Sequence, residues 1–117
     1  MTLKNSAKEL SLRPYNGRLF FAKTKKTYLK AHKELFREPD VLSCSAVEGR
    51  FVGGQGPDGM WTYLVWAETP HVLAHELSHA VLEVFDCCGI DPRAANGEPF
   101  CYLLSQLILD VNLKAKP

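Results

Sequence analysis

The spacing of apolar positions changes several times along the chain, and each change marks an element. Residues 18–23, Arg-Leu-Phe-Phe-Ala-Lys, form an apolar run of strand length. From Thr24 the period lengthens. Tyr28, Ala31, Leu35 and Phe36 fall close to one face, which predicts a helix over residues 24–36 with Thr24 as its cap. Pro39 and Asp40 end that unit. Residues 41–52 are rich in β-branched and aromatic side chains and predict a strand, and the glycine-rich stretch 53–59 predicts a loop. Residues 60–67, Met-Trp-Thr-Tyr-Leu-Val-Trp-Ala, are the clearest strand in the chain. The two segments should pair as a hairpin. The strand over 60–67 either offers an edge to an extended peptide or is covered on both edges, and the pattern allows both.

Two helices follow. Thr69 and Pro70 form a start signal, and the helix runs to Cys87 or Cys88, where Gly89 supplies the stop. Residues 90–97 read as a loop. The last helix spans 97–111, with Pro99 tolerated in the first turn. Its apolar face is built from Phe100, Leu103, Leu104, Leu107, Ile108 and Val111. Residues 1–17 have weak periodicity, with Pro14 and Gly17, and read as an N-terminal arm before a single domain over 18–117. The order of elements predicts an α+β fold. A small, mainly antiparallel sheet packs against the helix that begins at Pro70 and against the C-terminal helix.

Composition narrows the function classes. A chain of 117 residues is long enough for one domain with its own core. The formal net charge of +1 gives no global electrostatic case for nucleic acid. Lys25, Lys26, Lys30 and Lys33 make the first helix basic, which reads as a solvated face. No apolar run is long enough to cross a membrane, and the N-terminus lacks the apolar stretch of a secretory signal, so a cytoplasmic protein is expected. Cys44, Cys87, Cys88 and Cys101 do not have the paired spacing of a structural zinc site. They read as reduced thiols serving mostly as small core residues. The glycines at 53–59 lead into a strand and not into a helix N-terminus, which excludes a phosphate-binding loop.

The chemistry concentrates at His75-Glu76-Leu77-Ser78-His79. With about 3.6 residues per helical turn, His75 and His79 leave the same face and can reach one metal ion. Zinc takes imidazole nitrogen at about 2.0–2.1 Å, and catalytic sites use three protein ligands and a water. Glu76 projects beside the pair, where a carboxylate can take a proton from that water. The metal-free alternative is a pair of hydrogen-bonded core histidines with an exposed Glu76. For a third ligand the spacing offers Glu98, in the first turn of the next helix, where a carboxylate also suits the helix dipole. Cys101, one turn later, would give a His-His-Cys site instead; Asp86 and Asp91 are weaker candidates. Tyr102 lies on the same face as Glu98 and either stabilises an oxyanion or packs as a surface aromatic. His71 continues the stripe as a helix-start or supporting residue, and His32 reads as a surface residue of the first helix.

His75-Glu76-x-x-His79 followed by Glu98 resembles the zincin metallopeptidases, and the gluzincin type in particular. The segments Leu73-Ala74-His75-Glu76-Leu77-Ser78-His79-Ala80, Cys88-Gly89-Ile90 and Asn96-Gly97-Glu98-Pro99-Phe100-Cys101-Tyr102-Leu103-Leu104 are similar to small zincin-like proteins of tailed bacteriophages and prophages. The likeness spans about residues 41–110. It implies a zincin-like fold, Zn2+ held by His75, His79 and Glu98, and Glu76 as general base in peptide hydrolysis. The chain lacks the large second subdomain of longer gluzincins. A second expectation is therefore a non-catalytic zinc-binding phage accessory protein that engages a peptide or protein partner. A third is an α+β domain without metal.

Overall fold

The structure is a computed structural model, and it describes residues 7–40 and 48–111. Strand β1 is Lys8–Leu10, β2 is Arg18–Ala22, and helix α1 is Lys25–Phe36. Strands β3, Gly49–Gln55, and β4, Trp61–Ala67, form a hairpin that leads into α2, Pro70–Cys88. A short 3-10 turn, Ala94–Gly97, precedes α3, Glu98–Val111. This is a compact α+β fold with a small mixed sheet and three helices.

The sheet order is β1-β2-β4-β3. β1 pairs antiparallel with β2, β2 runs parallel to β4 with Phe20 opposite Leu64, and β4 pairs antiparallel with β3. The parallel pair was not anticipated. It arises because α1 carries the chain across the sheet before the hairpin returns, and a parallel pair requires such a crossover. β1 falls within the stretch read as an arm. Three residues are too few for a periodic signal, yet Leu10 and Leu12 are buried in the core. β4 is central and buried at six of its seven positions, so the peptide-accepting edge considered for it does not exist. Its run of Tyr63, Leu64, Val65 and Trp66 is apolar on both faces because helices cover both faces. Residues 41–47 of the expected strand over 41–52, Cys44 among them, lie outside the described residues.

Side chains alternate across the sheet. Leu19, Phe21, Tyr63 and Val65 join Leu73, Leu77, Val84 and Leu107 in one core under α2 and α3. Phe20, Leu64 and Trp66 join Tyr28, Ala31 and Leu35 in a second core under α1, where Tyr28 stacks on Trp66 at 5.7 Å. Each fully buried aliphatic or aromatic side chain contributes roughly 1.5–3 kcal/mol. His32 is buried, not at the surface; its Nδ1 lies 2.8 Å from the Glu38 carbonyl and its ring packs beside Phe36. Thr24 caps α1 through its hydroxyl, and Gly89 closes α2 at φ 72°, a conformation that suits glycine. No helix among the described residues is long and apolar enough to cross a membrane.

One polar network ties α1 to β3. The Tyr28 hydroxyl donates to Asp40, and Arg50 donates to both Asp40 oxygens, at 2.6 Å from Nε and 3.3 Å from Nη2. The Asp40 side chain is only 8% exposed. Burial pushes its carboxyl up, but the hydrogen bonds from Tyr28 and Arg50, with the Arg50 charge, outweigh burial and hold it below the usual range. A carboxyl depressed in the folded state stabilises fully above its unfolded pKa of about 3.9 and stops doing so as pH falls through the folded value. Asp40→Asn should cost about 1–3 kcal/mol at neutral pH. Urea unfolding below about pH 4 should show a shallower loss of stability for the variant than for wild type.

Candidate metal centre

The middle of α2 carries the site. Its buried stripe, Leu73, Leu77, Ala80, Val81 and Val84, turns His75 and His79 to the opposite, open side. The Nε2 atoms of His75 and His79 are 3.2 Å apart, with the rings nearly perpendicular at 83°. Glu76 lies about 100° round the helix from His75, towards the buried stripe, and is half-buried. One ligand atom from each of the three residues falls within 4.8 Å of the others. Partial burial pushes the Glu76 carboxyl above its usual range, opposed by the two histidines and Arg50. A raised carboxyl is a better general base near neutral pH.

Strand β3 forms the floor. Gly49, Arg50 and Phe51 line an open groove of about 300 Å³ with the three α2 residues. Gly49 is buried, and a β-carbon there would stand 2.4 Å from Val72 Cγ1, 2.8 Å from the Trp66 carbonyl oxygen and 3.3 Å from Glu76 Cγ. Only a residue without a side chain lets α2 come this close. Two places along, the Phe51 ring lies nearly parallel to His79. Sequence reasoning placed residues 49–51 in a strand but did not bring them to the site. No local pattern says which strand a helix will rest on.

The other expected site residues lie elsewhere. Phe100 meets Phe85 edge-on at 6.1 Å, which joins the start of α3 to the last turns of α2. Phe85 is six residues past His79, roughly 9 Å along the axis and roughly 120° around it. Glu98 is therefore held at the far end and on the other flank of α2, exposed and outside the His75–Glu76–His79 group. Cys101, Asp86 and Asp91 are exposed and outside it too. Tyr102 is 71% exposed and borders a separate groove with Arg13, Pro14 and Tyr15. His71 is exposed at the helix start, its Nδ1 3.4 Å from Thr69 Oγ1. Cys87, Cys88 and Cys101 are free but exposed, not core residues: Cys87 and Cys88 lie in the last turn of α2, past its last buried residue Phe85, and Cys101 falls off the buried stripe of α3.

No protein-family model matches the chain, and no curated protein or solved structure matches it either. The two imidazoles suit a borderline divalent ion such as zinc, and the Glu76 carboxylate stands beside the place that the ion would take. Two nitrogens about 2.0–2.1 Å from a tetrahedral zinc stand roughly 3.3 Å apart, close to the His75–His79 separation.

The seat of α2 gives a direct test. Gly49→Ala should cost about 1–3 kcal/mol through overpacking, read as a lower midpoint in thermal or urea unfolding. An unchanged midpoint would mean that the helix does not press on β3 at this point.

Proposed function

We propose that this chain is a zinc-dependent peptide hydrolase of the zincin type, with His75 and His79 as ligands and Glu76 as general base. The observation that carries the reading is the 3.2 Å approach of the two Nε2 atoms beside a half-buried carboxylate. A neutral histidine pair sharing an N–H···N hydrogen bond has the same spacing, so metal binding itself is the deciding measurement. Zinc held by these nitrogens supplies Lewis acidity, polarising a carbonyl and making water nucleophilic near neutral pH. Glu76 accepts the proton of the attacking water and passes it to the departing amine. Glu98 and Tyr102 take no part in this reading.

The preference for peptide rests on β3. It is an edge strand, and its residues Gly49, Arg50 and Phe51 line the groove. An extended peptide pairs with such an edge through main-chain hydrogen bonds, which would draw a scissile bond along the groove. A second reading, a zinc-binding interaction protein such as a phage accessory factor, draws support from α3. Tyr102 and Leu109 are 71% and 69% exposed there, two large apolar side chains that a partner would cover.

Three proteins separate these readings: wild type, Glu76→Gln and His79→Ala. Wild type and Glu76→Gln should each hold about one zinc and His79→Ala little. Wild type should cleave members of a mixed peptide library, and Glu76→Gln should be slower by about 10²–10⁴-fold. Zinc retained with no cleavage in any protein would leave the interaction reading. Absence of metal from all three would remove both.

A further inference from the structure

An exposed imidazole turns readily about its Cβ–Cγ bond, and a ligand that must first be ordered binds metal more weakly. Metal-ligating histidines are commonly held by a hydrogen bond from the second ring nitrogen to a carbonyl or carboxylate. His79 has no such partner among the described residues; its one polar contact is with His75. What faces its ring is Phe51, with centroids 6.2 Å apart and planes 18° apart. Phe51 in turn stacks on Tyr63, at 6.0 Å and 19°. Tyr63 is 1% exposed, and its hydroxyl donates to Cys87 Sγ at 3.6 Å. Three nearly parallel rings thus run from the buried sheet out to the exposed histidine.

We propose that Phe51 is a positioning residue that holds the His79 imidazole in its metal-ligating orientation by ring stacking. The inference rests on the reading of His75 and His79 as zinc ligands. A hydrocarbon ring offers neither proton nor lone pair to the imidazole nitrogens. It fixes the plane of the ring while leaving Nε2, the atom that approaches His75, available for the ion. The anchor is stiff because Phe51 sits on a strand and rests against a buried tyrosine. The alternation of β3 supports the assignment: Gly49 and Phe51 point to the same face, one beneath Glu76 and the other beneath His79.

The test compares wild type, Phe51→Leu, which keeps apolar bulk without a flat ring, and Phe51→Tyr, which keeps the ring. Each is titrated with Zn2+ against a chromophoric chelator, and the His79 ring protons are recorded by NMR in metal-free protein. Wild type and Phe51→Tyr should show those protons shifted upfield by the stacked ring. Phe51→Leu should lose that shift and bind zinc about 10-fold more weakly or worse, while Phe51→Tyr stays within about 3-fold of wild type. If Phe51→Leu does not fold, Phe51→Met carries the same comparison. Zinc bound equally tightly by wild type and Phe51→Leu overturns the role of Phe51 and leaves the metal reading standing. A wild-type protein that binds no zinc overturns both.

Discussion

Helix α2 lies close against β3 because residue 49 has no side chain, and the arrangement of the site follows from that contact. Val72 Cγ1 and the Trp66 carbonyl oxygen occupy the space that a β-carbon at Gly49 would need, and Glu76 Cγ borders it. The approach does three things at once. It half-buries Glu76 and raises its carboxyl pKa, it brings Phe51 under His79, and it leaves an open groove between helix and strand.

β3 is held from both faces. Gly49 and Phe51 meet α2, while Arg50, between them, ties the strand to Asp40 and Tyr28 on the α1 side. An edge strand lacks one neighbour's backbone hydrogen bonds and is the part of a sheet most open to added strands. Here that strand is also the floor of the site. The half-exposed Arg50 and the nearly buried Asp40 form a bidentate pair, which resists sliding better than a single-point contact. The rigidity is placed where His79 and Glu76 need it, and β3 is an edge strand among the described residues.

Elements with strong local signals were legible in the sequence. The caps at Thr24 and Gly89, the Thr69-Pro70 start, and the bounds of α1, α2 and α3 all agree with expectation to within about two residues. The His75–His79 pairing was legible too, because helical periodicity alone puts residues four apart on one face. Long-range placement was not. The sequence suggested antiparallel helices that return Glu98 to the histidines, but the Phe85–Phe100 contact docks α3 at the far end of α2. The strength of residues 60–67 as a strand reflected burial on both faces, and so a central position; the weaker, glycine-bearing β3 holds the edge. His32 and Cys101 were misplaced because composition says how often a residue type is buried, while helical phase decides which copy is; Cys87 and Cys88 were misplaced because they lie in the last turn of α2, beyond its last buried residue.

The central claim is that His75 and His79 together ligate one ion. Zinc K-edge X-ray absorption of the zinc-loaded protein tests it most directly, because imidazole and thiolate ligands differ in both distance and multiple scattering. Two imidazoles are expected, with nitrogens at about 2.0–2.1 Å, the remaining ligands being oxygen or nitrogen and none sulfur. A shell of sulfur near 2.3 Å, or a spectrum that requires fewer than two imidazoles, would contradict it.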